Sequence, residues 1–409
     1  MEKKEAIEMI QLDASFRIVT PLFMSGADNK IAELRAASIR GVLRFWWRAL
    51  ALGHCNSWKD VRNAEFALFG SSSGGKSRIH TSLAALQQSK KRHRIGDMPK
   101  DGSRQNAGPG ALYLGYGAIS AKPFLDIPLK FNLRIYLQPP CNKIQEGLHN
   151  EADLLEGALK AMGLLGGLGS RSRRGLGSIT LLDLKRDGKS VYEMPNNLED
   201  YLANVIGFFH KHVITYKGIP EYTAFAQDTM VYLLETGNDP LRLLDKIGQK
   251  MNAYRSWKTE RNFKKDHDYM RDALFTPAAD YPLRVAFGLP HNYHFSKAPN
   301  LLKPNVEVVP DDKNGLGHNR RASPLFFHIH EISKDCYVVI ATIFPSAFLP
   351  VGEGVLIQRA EQYGGEQNVP TKTLAVKSSW HKELNKFLES QDPSNPALKR
   401  FGSFKIIWP

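Results

Sequence analysis

Regularly spaced arginines mark the first stretch of this sequence that could bind a phosphate-rich ligand. Arg40, Arg44 and Arg48 are four residues apart, so they stack along one flank of a helix predicted over residues 38–53. No acidic residue lies in that stretch. The counter-charge must therefore come from another part of the fold or from a bound polyanion. Trp47 lies beside the arginines, where it either stacks on a base or packs in the core.

A glycine-rich loop with interspersed arginines, GGLGSRSRRGLGSI at 166–179, is the second candidate. Glycine allows unusual backbone angles and the close approach of another backbone, and arginine offers forked donors that suit phosphate oxygens. The loop follows a predicted helix and precedes a predicted strand, so no helix N-terminus faces the ligand and the arginines must supply the charge. The composition predicts that the loop binds a polyphosphate or an RNA backbone; the alternative is a solvated connection. The predicted binding residues are Gly169, Arg171, Arg173, Arg174, Gly175 and Gly177.

Further basic residues are candidates for the same contact. Residues 71–104 contain eight lysines and arginines against two aspartates, a local net charge of +6. We predict that RNA is contacted in this region by Lys76, Arg78, Lys90, Lys91 and Arg92. Two arginines that precede a predicted strand in the second half, Arg320 and Arg321, complete the set.

Two catalytic interpretations compete with simple binding. GSSSGGKS at 70–77 fits the phosphate-cradling pattern GxxxxGK[ST], with Asp183 as a possible magnesium partner. The pattern should follow a buried strand and open a helix, but the flanking residues predict a helix before it and a strand after it. A metal-independent ribonuclease needs a histidine base, and His80, beside Arg78, is the best candidate. The close histidine pairs, such as His328 and His330, favour core or surface roles over a metal site.

Composition limits the class of protein. A chain of 409 residues exceeds the usual size of one core, so two domains are expected. Its net charge of +14 favours a nucleic-acid partner. None of the three cysteines forms a CxxC pair, which indicates a reducing compartment without a disulfide framework or a cysteine-based zinc site. With no signal-like N-terminus and no membrane-length apolar run, we expect a soluble cytoplasmic protein without a cofactor.

The predicted elements of the first half follow the order strand–helix–strand–strand–helix–strand, which is ferredoxin-like. Strands are predicted at 15–23, 111–116, 127–137 and 178–184, and helices at 38–53, 60–69 and 151–165. The second half predicts a mixed α/β domain, with helices at 198–212 and 380–390, mostly helix over 220–280, loop over 288–320, and strands at 323–332, 337–344 and 404–408. RIVTPLF at 17–23 and RASPLFF at 321–327 echo each other, which hints at a duplicated unit.

Five motifs together resemble the RAMP superfamily of CRISPR proteins and, more narrowly, the first-subunit family of the Cmr complex, the type III-B RNA-targeting effector. They are VTPLFMSGADNK, SIRGVLRFWWRAL, LFGSSSGGKSRI, GGLGSRSRRGLGSI and RRASPLFF. The resemblance covers motifs within 16–86, 163–184 and 318–350, and residues 195–290 match no known part of the family.

The resemblance implies an α+β protein of two tandem ferredoxin-like (RRM-like) domains, 1–190 and 191–409, with a helical insertion in the second. It also implies a non-catalytic RNA-binding subunit in antiviral defence, placed near the crRNA 3′ end where target RNA is engaged, with other Cmr subunits as partners. RNA cleavage in such complexes belongs to the backbone subunit, which uses an aspartate. Asp28 lies in a comparable early loop, so a cleavage role stays open.

We therefore expect the arginines of the helix and of the loop to form one basic cleft with Lys76 and Arg78. The alternatives are a metal-independent RNA-processing endoribonuclease and, less favoured, a P-loop NTPase.

Overall fold

The computed structural model of the chain describes residues 9–72, 75–85, 108–118, 122–125, 127–140, 148, 150–214, 219–256, 264–273, 275–276, 278–295, 305–311, 319–359, 373–391 and 399–409. The predicted RNA-binding residues Lys90, Lys91 and Arg92 lie outside these ranges.

The first half of the chain builds a five-stranded antiparallel sheet. Its strands are β1 (Ile10–Ile18), β2 (Ile79–Ala85), β3 (Leu129–Leu137), β4 (Ile179–Arg186) and β5 (Lys189–Glu193), in the spatial order β2-β3-β1-β4-β5. Along β3, every second residue from Leu129 to Leu137 is buried, as the alternation of the sequence predicts.

Helices cover one face of this sheet, chiefly α1 (Ala36–Ala51) and α4 (Glu151–Leu165). The first half also contains α2 (Trp58–Phe69) and α3 (Pro109–Leu114), and α5 (Leu198–His212) follows β5. The predicted helices at 60–69, 151–165 and 198–212 are confirmed. The helix predicted at 38–53 begins and ends two residues earlier, and Arg35 occupies its N-cap. The strand predicted at 111–116 is wrong, because Pro109 opens the helix α3 there.

The second half builds two further antiparallel sheets. The larger contains β6 (Met230–Gly237), β9 (Leu325–Ser333), β10 (Cys336–Ile343) and β13 (Lys405–Trp408), in the order β13-β6-β10-β9. The smaller contains β7 (His291–His294), β8 (Asn305–Asp311), β11 (Gly354–Arg359) and β12 (Thr373–Leu374), in the order β12-β11-β8-β7. The helices are α6 (Pro240–Arg255), α7 (Lys264–Asp272) and α8 (Lys382–Glu389).

Two predictions for this half are corrected. The region 220–280 contains β6 as well as helices, and the predicted loop at 288–320 contains β7 and β8. A short apolar run such as that of β6 is ambiguous between a buried strand and a buried helix, and pairing with β10 and β13 decides for the strand. The predicted mixed α/β class is confirmed, as are the strands at 323–332, 337–344 and 404–408, within one or two residues.

Two side chains at the start of β4, together with the loop before it, join the two large sheets. The outer edge of β9 donates from the backbone N of Ile329 to Ser178 Oγ at 3.1 Å, and from that of Glu331 to Thr180 Oγ1 at 3.0 Å. The N of Phe327 donates to the carbonyl of Arg173 at 3.0 Å. β9 is an end strand, so the backbone N–H groups on its outer edge have no partner strand. They donate instead to the glycine-rich loop and the start of β4, and these hydrogen bonds fix the loop against the second half of the chain.

Within the described part of the chain, no helix combines the length and the apolar character that a membrane crossing requires.

Candidate nucleic-acid interface

The glycine-rich loop is folded tightly against the segment that follows β1. The backbone N of Ser170 donates to the carbonyl of Phe23 at 2.8 Å, and that of Gly177 to the carbonyl of Pro21 at 2.9 Å. A Cβ at Gly177 would lie 2.1 Å from the Leu168 carbonyl oxygen, so only glycine fits there. Left-handed backbone angles occur at the three predicted loop glycines, Gly169, Gly175 and Gly177. These glycines therefore shape the loop by packing backbone on backbone.

Six arginines line one cavity of about 610 Å³ between this loop, the end of α6 and the segment before β9. We call it the arginine pocket. The structure thus brings together five residues predicted from the sequence, although they are far apart along the chain, and adds a sixth. The pocket contains the predicted Arg171, Arg173, Arg174, Arg320 and Arg321, together with Arg255.

Backbone carbonyl oxygens hold these guanidinium groups in place. Arg171 donates to the carbonyl of Tyr116 at 2.7 Å, and Arg174 to that of Leu114 at 3.3 Å, so both contact the C-terminal end of α3. Cations are favourable at that end of a helix. Arg173 donates to the carbonyl of Ser323 at 2.8 Å.

Aromatic rings and a hydroxyl hold the inner members. The Arg173 guanidinium lies 4.6 Å from the ring centre of Phe326. Arg321 donates to the carbonyl of Phe348 at 2.7 Å and to Ser346 Oγ at 2.8 Å. Over the described residues, none of the six arginines forms an ion pair with a carboxylate, and no acidic side chain lines the pocket. Its positive charge is therefore uncompensated by the protein.

Burial makes this charge costly without removing it. Burial lowers the pKa of Arg173 and the pKa of Arg174 to about 10, with the charge of Arg255 adding to the effect on Arg174. Burial, and then the charge of Arg173, lower the pKa of Arg321 to about 10. All three groups stay protonated at neutral pH, so an anion in the pocket would relieve their mutual repulsion.

The floor of the pocket contains two groups that the sequence analysis missed, Arg255 and His291. An Arg255 guanidinium N–H lies 3.4 Å from Nδ1 of His291. Arg255 Nε and His291 Nε2 are buried without a hydrogen-bond partner among the described residues. Burial, and then the charges of Arg255, Arg284 and Arg174, hold the pKa of His291 well below its usual value. The basic composition of 246–265 is the one sequence signal that points to Arg255.

The arginines of α1 have a different environment, which we call the helix cluster: Arg40, Arg44, Arg48 and Glu65. Glu65 comes from α2 and its side chain is only 4% exposed. Its carboxylate accepts from Arg44 Nε and, at 3.2 Å, from Arg48. Arg40 donates to the carbonyl of Phe69 at 2.7 Å. The counter-charge that the sequence of the helix lacks is thus supplied by another element of the fold.

Two predicted RNA-binding residues belong to the core. Trp47 is fully buried and packs edge-on against Phe69, with ring centres 5.8 Å apart, so its ring offers no face to a base. Arg78 is buried and pairs with Glu151 at 2.7 Å, which joins the start of β2 to the start of α4. Lys76 is exposed nearby.

The prediction of one continuous basic cleft is therefore corrected. Phe45 and Gly41 of α1 line a small cavity with Arg173. Residues 41 and 45 lie about 100° further round the helix than residues 40 and 44, at 3.6 residues per turn. The helix cluster faces α2, and the arginine pocket lies beyond another side of α1.

The catalytic alternatives gain no support from the geometry. The GSSSGGKS segment lies between α2 and β2, which is the reverse of the strand–loop–helix order that a P-loop requires; residues 73–74 lie outside the described part. His80 is exposed on β2, and Asp28 accepts from the backbone N of Lys30 in an exposed turn. His328 and His330 are buried and contact each other at 3.2 Å. No group of three or more potential metal ligands occurs among the described residues.

Comparison with known proteins shows what the chain is similar to. Residues 15–180, which include the end of β1, the helix α1 and the glycine-rich loop, match the family model of the RAMP superfamily. The CRISPR system Cmr subunit Cmr1-2 of Pyrococcus furiosus is 45% identical over 62 residues, or 15% of this chain. That match spans 33% of the relative's length.

Two further comparisons extend the likeness over most of the chain. The CRISPR system Cmr subunit Cmr1-1 of the same organism is 25% identical over 334 residues, which cover 78% of this chain and 82% of that protein. The crystal structure of Cmr1 from Pyrococcus furiosus in its apo form has the same fold, with a TM-score of 0.55 at 18% identity over 97% of this chain and 98% of that one. The resemblance drawn from the sequence is confirmed: residues 15–180 match the RAMP superfamily, and most of the chain is similar to Cmr1 proteins.

Proposed function

We propose that this protein is a non-catalytic RNA-binding subunit of a type III-B (Cmr) CRISPR effector complex. In this proposal it contacts crRNA near the 3′ end, target RNA, or both, and assembles with other Cmr subunits. The relatives reported above bear the names of Cmr subunits, which supports the assembly. The observation that carries the RNA-binding role is the arginine pocket, whose six arginines have no carboxylate partner among the described residues.

Two tandem ferredoxin-like domains provide the framework of this proposal. The strand order β2-β3-β1-β4 in the first half and β9-β10-β6-β13 in the second support it. Both follow a strand–helix–strand–strand–helix–strand path along the chain once α3, α7 and the smaller sheet are counted as insertions. The boundary we propose, near residue 190, falls within β5, which ends at Glu193.

Phosphate oxygens are the ligands that the arginine pocket fits best. Guanidinium groups donate paired hydrogen bonds to them, and binding of the backbone releases counterions. The contacts are made to phosphate and not to base edges, so they tolerate changes of RNA sequence. Base pairing between crRNA and target would supply the specificity.

The test is the affinity for a labelled single-stranded RNA, measured by fluorescence anisotropy at several salt concentrations. The variant Arg171→Gln/Arg320→Gln removes the two exposed charges of the pocket and leaves its buried members in place. We expect binding to weaken about tenfold or more, and the slope of log affinity against log salt to fall by about 1.4, the value for two lost phosphate contacts.

The matched control removes the same charge elsewhere. Arg242 and Lys382 are exposed, and Arg242 lies about 20 Å from Arg255 along α6, at 1.5 Å per residue. The variant Arg242→Gln/Lys382→Gln should bind RNA nearly as the parent does. Equal losses in both variants would reduce the binding to a general effect of net charge and would contradict the proposed site.

A second experiment tests the non-catalytic part of the proposal. The purified chain, incubated with RNA in the presence and absence of EDTA, should leave the RNA intact. Cleavage that disappears in His80→Ala or in Asp28→Ala would overturn this part and establish an endoribonuclease.

A further inference from the structure

An exposed aromatic ring lies at the mouth of the arginine pocket. The side chain of Tyr116 is 79% exposed, more than any other aromatic residue that the structure describes, and it lines the pocket beside Arg171. Single exposed apolar residues are common on proteins and need no explanation. An exposed ring on a residue that lines a pocket of arginines without carboxylate partners among the described residues is different, because that combination is what a strand of unpaired nucleotides requires.

The backbone of Tyr116 is held on the pocket from two sides. The guanidinium of Arg171 donates to its carbonyl at 2.7 Å, and its own N donates to the carbonyl of Tyr113 at 3.3 Å. The residue that carries the ring is therefore joined to the arginine loop through its backbone. A ligand bound by Arg171 would lie beside this residue.

The helix that precedes Tyr116 is fixed in turn. Asp245 of α6 accepts from the backbone N of Gly110 at 2.7 Å and from that of Ala111 at 3.2 Å, which caps the start of α3. A Cβ on Gly248 would lie 1.9 Å from the Gly110 carbonyl oxygen, so α3 and α6 meet backbone to backbone. Because α6 also carries Arg255 into the pocket, the backbone that positions Tyr116 and the floor of the pocket are connected through the packing of α3 on α6.

We infer that Tyr116 is a stacking platform, and that the arginine pocket takes single-stranded RNA, with a base on the Tyr116 ring and the adjacent phosphate among the arginines. This inference rests on the proposed function and specifies its ligand. Only unpaired bases expose their faces to an aromatic side chain, whereas the bases inside a duplex stack on one another. The position first considered for stacking, Trp47, is buried, and Tyr116 supplies what it lacks.

The test compares Tyr116→Ala and Tyr116→Phe in the full chain. Stacking uses the ring and not the hydroxyl, so we expect Tyr116→Phe to bind single-stranded RNA as the parent does and Tyr116→Ala to bind about tenfold more weakly. The salt dependence should not change in either variant, because no charge is lost. Binding of a blunt duplex RNA should change by less than about twofold.

Tyr222→Ala is the matched control. Tyr222 is also exposed, at 56%, but it packs on Trp58, away from the arginine pocket. Its removal should leave RNA binding unchanged. A third variant, Tyr116→Trp, reports stacking directly, because a base stacked on the new indole should quench its fluorescence. RNA should cause no such loss of fluorescence in the parent, which has only its six native tryptophans.

The outcomes separate this inference from the proposed function. If Arg171→Gln/Arg320→Gln weakens binding and Tyr116→Ala does not, the pocket binds RNA without stacking, and Tyr116 is left as a contact for a partner subunit. If neither variant weakens binding, both proposals fail. Equal losses for single-stranded and duplex RNA in Tyr116→Ala would also overturn the inference.

Discussion

The helix cluster and the arginine pocket contain the same kind of side chain in opposite electrostatic states. In the helix cluster, the buried carboxylate of Glu65 accepts from both Arg44 and Arg48. In the arginine pocket, five of the six guanidinium groups contact carbonyl oxygens, a hydroxyl, a histidine or aromatic rings, and none of the six has a carboxylate partner among the described residues. The helix cluster neutralises itself in part, whereas the pocket keeps its charge for an external anion.

This difference shows that the number of arginines does not identify a binding site; the source of their counter-charge does. Glu65 joins two helices, so the arginines that face it contribute to the fold. The arginines of the pocket repel one another, which a protein selected for stability alone would avoid. Three predictions follow from this contrast.

The largest effect is expected in the helix cluster. The variant Arg44→Gln/Arg48→Gln leaves the carboxylate of Glu65 buried without its two partners, and removing the partners of a buried charge costs about 3 kcal/mol. We expect the free energy of unfolding, measured by urea denaturation, to fall by about that amount. Affinity for RNA should change far less than in Arg171→Gln/Arg320→Gln.

The control for this prediction removes the orphaned charge as well. Adding Glu65→Gln to the double variant should recover most of the lost stability, because three neutral side chains then replace one uncompensated carboxylate. A double variant as stable as the parent would show that the ion pairs of Glu65 contribute nothing to the free energy of unfolding. The helix cluster and the arginine pocket would then differ in geometry and not in energy.

Much of the fold could be predicted from local pattern. The alternation of β3 and the periodicity of α1 and α4 are strong signals, and these elements were found within a few residues of their predicted ends. The misses have one cause. The helix α3 and the strands β6 and β7 form where contacts distant in sequence, such as those of α3 with α6 and of β6 with β10, decide between helix, strand and loop.

The candidate site was predictable in composition and not in arrangement. The arginines of the loop and Arg320 and Arg321 stand out in the sequence, and they meet in one pocket. No local sequence pattern shows that Glu65 faces α1 or that Glu151 pairs with Arg78, because each contact joins segments that are distant in sequence. The exposure of Tyr116 and the burial of Trp47 likewise depend on tertiary packing, which places each ring inside or outside the core.

The second prediction gives the pocket the counter-charge that it lacks. Ala322 is exposed and lines the pocket, so Ala322→Glu adds a carboxylate without removing an arginine. We expect it to occupy the site of a phosphate and to weaken binding of single-stranded RNA about 30-fold, or about 2 kcal/mol. Ala322→Gln, of the same size, is the control; an equal loss with glutamine would indicate that bulk blocks the pocket and charge does not.

The smallest effect should have the opposite sign to the first. The charge of Arg320, after burial, lowers the pKa of Arg171, so the two guanidinium groups disfavour each other in the folded state. Arg320→Gln should therefore raise the free energy of unfolding by about 0.3 kcal/mol at low salt, and the gain should disappear at high salt, where such repulsion between exposed charges is screened.

Arg48→Gln should lower the same quantity, because Arg48 pairs with Glu65. Urea denaturation at two salt concentrations measures both, and a loss of stability in Arg320→Gln would mean that an internal partner already balances the pocket. A gain would show that the molecule gives up stability to keep these arginines available, which is the behaviour expected of a site maintained for a ligand.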